Sequence, residues 1–121
     1  MDGRSVIVLD DEIATGGTQV ELIDRLRERG VSRITVSCTH GLFTGNAIER
    51  FGSISEVREL LATDTVPLSP DARCHPKLTT LSVSPLLGEA IRRIHHGESV
   101  SSLFTAPDWV AGRGVESAEP G

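Results

Sequence analysis

The segment Val6-Ile7-Val8-Leu9-Asp10-Asp11 does most to limit what this chain can become. Aliphatic residues running directly into two acids predict a strand buried on both faces of a parallel sheet, meeting solvent at its carboxyl edge. Glu12-Ile13-Ala14-Thr15-Gly16-Gly17-Thr18 follows. From Gln19 to Arg29 the spacing of Val20, Ile23 and Leu26 predicts a helix, which Gly30 stops. A second strand over Ser32 to Thr39 closes a strand, helix, strand unit of the right-handed parallel type.

The alternation continues. His40 to Gly45 predicts a loop and Asn46 to Phe51 a short helix. Residues 54–63 carry helix formers, yet their place in the alternation predicts a strand. Pro67, Pro70 and Pro76 mark Thr65 to Pro76 as a loop, and Leu78 to Val83 predicts another strand. Pro85 opens a helix through Ile94 that sets Leu86, Leu87, Ala90, Ile91 and Ile94 on one face. This pattern predicts an α/β fold of three layers with a mostly parallel sheet over residues 1–105. From Ala106 onward Gly, Pro, Ser and acids predict a disordered tail, 106–121. Because the first strand begins at residue 5, an apolar face or sheet edge is expected to lie open and to favour a homo-oligomer.

Composition removes several classes of function. At 121 residues the chain holds one domain and not two. A net charge of −5 and only Phe43, Phe51, Phe104 and Trp109 as aromatics argue against a nucleic-acid partner. No apolar run approaches a membrane span and no signal segment precedes the first strand, so a cytoplasmic location without membrane attachment is expected. Cys38 and Cys74 are expected to be free thiols. Lys77 is the single lysine and no G-x-x-x-x-G-K-[ST] occurs, which excludes a P-loop kinase.

Taken singly, a Gly-Gly pair is ordinarily a turn, Thr18 an N-cap and Asp10-Asp11 a solvated strand end. In this order they form a cradle. Glycines admit a close backbone approach, amides at a helix start face outward, and the helix dipole favours negative charge. Carboxylates one strand-end away accept hydrogen bonds from vicinal hydroxyls. A pentose 5-phosphate satisfies both halves.

Val8-Leu9-Asp10-Asp11-Glu12-Ile13-Ala14-Thr15-Gly16-Gly17-Thr18 resembles the phosphoribosyl diphosphate (PRPP) motif of the type I phosphoribosyltransferase fold. That motif alone leaves adenine-type phosphoribosyltransferases and ribose-phosphate diphosphokinases (PRPP synthetases) open. Two further stretches, Thr39-His40-Gly41-Leu42-Phe43-Thr44-Gly45-Asn46-Ala47 and the run from Glu89 through His95-His96-Gly97-Glu98 to Phe104, resemble the C-terminal half of PRPP synthetases. The resemblance spans residues 4–104.

It implies transfer of the β,γ-diphosphoryl group of ATP to the 1-hydroxyl of ribose 5-phosphate with magnesium, yielding PRPP for nucleotide biosynthesis. Ala14, Thr15, Gly16, Gly17 and Thr18 would hold the 5-phosphate of ribose 5-phosphate or PRPP. Asp10 and Asp11 would take the ribose hydroxyls and share Mg2+ with substrate. By the same resemblance Ser99, Ser101 and Phe104 match an allosteric anion site. Two departures stand out. Ala14 occupies a position where these synthetases carry an acid, and the family's ATP-binding half has no counterpart before Met1. The isolated chain is therefore expected to make no PRPP without an ATP-binding half or a full-length synthetase subunit. The alternatives are a non-catalytic regulatory subunit and a minimal phosphoribosyltransferase-like protein. His40, His75 beside Cys74, and His95-His96 are read as structural, lacking the partners of a triad or zinc site.

Overall fold

The computed structural model describes residues 3–105. Alternating aliphatic runs and helical spacings build β1 (Ser5–Ile13), α1 (Gly17–Glu28), β2 (Arg33–Gly41), α2 (Ala47–Gly52), β3 (Val57–Thr63), α3 (Pro70–Arg73) and β4 (Leu78–Leu81). The strands lie in the order β1-β2-β3-β4, each parallel to the next, which is the α/β architecture the alternation predicts. The chain divides into two compact units, Met1–Ser82 with the sheet and Val83–Gly121.

Because every crossover steps in the same direction, a uniform right hand lays the connecting helices over one face of the sheet. That face carries the core: Val8, Ile23, Ile34, Val36, Phe51, Val57 and Leu60 are buried. β1 therefore corrects the expectation of burial on both faces. Val8 is 6% exposed, but its neighbours Ile7 and Leu9 are 72% and 77% exposed on the opposite face. Among the described residues this face and the outer edge of β1 are uncovered.

Two boundaries also move, and one expected strand forms against its local propensity. β1 continues past the acid pair, with Glu12 and Ile13 in register with His40 and Gly41, so His40 sits in β2 and not in a loop. α3 forms inside the proline-rich stretch read as loop, since the Ser69 hydroxyl accepts the Ala72 amide at 3.2 Å and Pro70 begins the helix. β3 forms despite its helix formers because it pairs on both edges, with β2 and β4.

In the second unit, α4 (Ser84–His95) precedes a 3-10 turn, Ser101–Phe104. Arg93 bonds Glu89 at 3.0 Å, the Ser99 carbonyl at 3.1 Å and the Ser102 hydroxyl, tying helix to turn. Arg92 and Arg93 together hold the Glu89 carboxyl down to about 2. Leu87, Ile91 and Ile94 are exposed along α4. The tail expected from Ala106 lies outside the described residues, among which no helix is long and apolar enough to cross a membrane.

Candidate functional site

The segment between β1 and α1 is bound to the protein through its carbonyls. Ile13 O accepts the Leu42 and Phe43 amides at 2.9 and 3.2 Å, and Ala14 O accepts the Thr44 amide at 2.9 Å. Thr15 O accepts Arg50 Nη1 at 3.3 Å, and Gly16 O accepts the Val20 amide at 2.9 Å as the first bond of α1. The amides of Thr15, Gly16, Gly17 and Thr18 donate to no protein acceptor among the described residues. With carbonyls engaged and amides unspent at the start of a helix whose first turn holds no acid, the loop offers donors and a positive dipole end.

Local sequence explains the shape. Gly16 has φ 77, the left-handed region where a side chain is strained, and it serves as the N-cap of α1. Phe51, fully buried in α2, packs against this glycine. Phe43 also takes a positive φ, 48, an uncommon conformation for a bulky residue, and is held there by its bond to Ile13 O.

The acid pair is unequal. Asp10 Oδ2 accepts Gln19 Nε2 at 2.6 Å and Oδ1 accepts the Asp11 amide at 2.8 Å, so both carboxylate oxygens are fixed. The Asp11 side chain first, then Gln19 and the Asp11 amide, hold the Asp10 carboxyl below its ordinary range against a smaller opposing desolvation. Asp11 is exposed; with Leu9, Asp10 and Thr39 it lines an open depression at the carboxyl edge. Beside Asp10 in the sheet lies Cys38, whose thiol is pushed up to about 11 by burial and by the Asp10 charge.

The other candidates fall elsewhere. His40 Nδ1 lies 2.7 Å from the Thr65 hydroxyl, which also bonds Thr39 O at 3.1 Å; this network joins the ends of β2 and β3. His75 Nδ1 accepts the Lys77 amide at 3.1 Å, and among the described residues no three His, Cys, Asp or Glu side chains are grouped to hold a metal. The Ser99 hydroxyl accepts the Ser101 amide at 3.2 Å, and Phe104 is 82% exposed. A groove of about 610 Å³ lined by Arg33, Thr35, Arg58 and Lys77 lies at the amino ends of the strands. In open parallel sheets ligands bind at the carboxyl ends, where the loop and acids are. The sequence reading missed Gln19, Arg50 and the Leu42–Thr44 amides. A polar residue on the same helix face as Ile23 was the available signal for Gln19.

The phosphoribosyl synthetase-associated domain family matches residues 1–105. A Streptomyces coelicolor protein assigned as a ribose-phosphate pyrophosphokinase is 55% identical over 86% of this chain and 32% of its own length. The Bordetella pertussis ribose-phosphate pyrophosphokinase is 45% identical over 86% of this chain and 33% of its own. The crystal structure of phosphoribosylpyrophosphate synthetase from Mycobacterium smegmatis superposes with a TM-score of 0.73 at 35% identity, over 79% of this chain and 32% of that one. The chain thus spans about a third of the length of the curated relatives it matches.

Proposed function

The chain belongs to the phosphoribosyl synthetase-associated domain family and is related to ribose-phosphate pyrophosphokinases, and from this premise we propose that its Ala14–Thr18 loop binds the 5-phosphate of ribose 5-phosphate or PRPP. Asp10 and Asp11 receive the ribose hydroxyls. The observation that carries this is the division of the loop into bonded carbonyls and unspent amides, which leaves a row of donors available to a dianion. The chain corresponds, in this proposal, to the C-terminal half of a PRPP synthetase with the type I phosphoribosyltransferase fold. It supplies the sugar-phosphate half of PRPP synthesis.

In such a transfer the binding loop contributes by orienting the attacking hydroxyl, while charge on the moving diphosphoryl group needs cations. Lys77 is committed elsewhere, its Nζ donating to Gly52 O at 2.9 Å and Ile54 O at 3.1 Å. In this proposal the ATP-binding residues come from an ATP-binding half or a full-length synthetase subunit. Two adjacent carboxylates fit a magnesium ion completed by substrate oxygens, which would neutralise phosphate charge when bound. Ala14 offers no carboxylate to it.

Calorimetric titration tests the assignment. Ribose 5-phosphate is expected to bind the wild-type chain. Asp10→Asn is expected to weaken it by about tenfold or more, the worth of a hydrogen bond to a charged group, while inorganic phosphate binds both proteins alike. A wild-type chain that binds no ribose 5-phosphate, with or without magnesium, overturns the proposal.

A further inference from the structure

We infer that Gln19 is a positioning residue that makes the sugar site selective for a vicinal diol, by locking the Asp10 carboxylate in one orientation. The inference rests on the assignment of Asp10 to the ribose hydroxyls. Gln19 is 7% exposed, the polar exception among the buried side chains of the described residues. A buried amide is costly unless bonded. Its bond runs from Nε2 to Asp10 Oδ2 at 2.6 Å, from α1 across to β1.

A carboxylate has about four acceptor positions, two on each oxygen. In Asp10 one on Oδ2 is taken by Gln19 and one on Oδ1 by the Asp11 amide at 2.8 Å. Neither bond saturates its oxygen, so each keeps acceptor capacity beyond these two donors. Aspartate turns easily about its terminal torsion, which is broad and two-fold. With two donors fixing the plane, the remaining positions form a rigid pair of acceptors that two adjacent hydroxyls can fill together. A sugar lacking one of them leaves half the pair empty. Without Gln19 the carboxylate loses its one bond from the helix, is held by its strand neighbours alone, and can rotate to meet a single hydroxyl equally well.

The same helix presents the phosphate donors at its first turn. Gln19 thus lies one residue beyond the Ala14–Thr18 loop and couples its position to that of the acid. Selectivity for the diol and capture of the phosphate are built on one rigid element.

Gln19→Met preserves length and volume while removing the donor. The measurement is the ratio of dissociation constants for 2-deoxyribose 5-phosphate and ribose 5-phosphate, with inorganic phosphate as a control on the loop. For the wild type the ratio is expected to favour the diol. Gln19→Met should reduce it by about fivefold to tenfold while phosphate affinity stays within about twofold, a split that general loosening of the fold would not produce. An unchanged ratio overturns the inference, and so does parallel loss of phosphate binding, which would make Gln19 merely structural. Absence of ribose 5-phosphate binding by the wild type instead defeats the underlying assignment of the site.

Discussion

A Cβ built on Gly16 would lie 2.8 Å from the Phe51 ring, so the loop proposed to hold phosphate and the core share one contact. Gly17, its neighbour, has only the Thr15 hydroxyl within reach, at 3.8 Å. The two glycines therefore separate folding from binding. Gly16→Ala meets both a left-handed backbone and the ring, and is expected to lower stability by about 2–4 kcal/mol. Gly17→Ala should leave stability within about 1 kcal/mol yet weaken phosphate binding by intruding on the nest. Urea denaturation alongside phosphate titration distinguishes them; equal loss of stability in both variants would show that the loop is not built this way.

Lys77 gives a second separation. Its ammonium closes the carbonyls at the end of α2, Gly52 O and Ile54 O, where a cation also favours the helix dipole. Lys77→Met should cost about 1–3 kcal/mol and leave ribose 5-phosphate affinity unchanged. A weakened affinity with intact stability would place this lysine in the site.

The two cysteines should respond oppositely to alkylation. Cys74 is exposed, whereas Cys38 is buried beside Asp10 with its thiol pushed up to about 11. At mildly alkaline pH one iodoacetamide adduct is expected, at Cys74, by mass spectrometry. The stability effect has a definite sign. The folded thiol keeps its proton while an unfolded one loses it above the ordinary 9.0, so this contribution favours folding below pH 9 and declines between about 9 and 11. Cys38→Ala should flatten that decline in thermal melts across the alkaline range.

What the sequence made legible was local chemistry. The apolar run into Asp10-Asp11 and the Thr-Gly-Gly-Thr turn announced a strand, a loop and a helix start, because each depends on neighbours in the chain. The fixed Asp10 was not legible, since Gln19 looks like any solvated helix residue until the burial of Ile23 defines the inner face. Nor were the amides of Leu42, Phe43 and Thr44, which reach β1 only after the sheet has formed. The run Val6 to Leu9 misled in one respect. Continuous hydrophobicity reads the same whether the second face is covered within the chain or left open, and periodicity cannot distinguish the two. For α3 the failure was one of weighting: Ser69-Pro70-Asp71 carries a cap, a first-turn proline and an acid, but the surrounding prolines drew the reading toward a loop.

That open face yields the last prediction. β1 is nine residues long, unpaired along its outer edge among the described residues, and displays Ile7 and Leu9 at 72% and 77% exposure. An apolar edge strand without a blocking charge in its first half is a template for another strand. Two copies related by a two-fold axis would pair these edges antiparallel and bring Ile7 and Leu9 of each together. Burying an aliphatic side chain contributes about 1.5–3 kcal/mol, and the symmetric contact counts each residue twice. Sedimentation velocity should therefore show mass rising with concentration for the chain alone. Ile7→Lys should return it to a monomer whose melt no longer depends on concentration, because this side chain is not part of the core. A wild type that stays monomeric at every concentration would mean that the edge is protected by something other than a second copy.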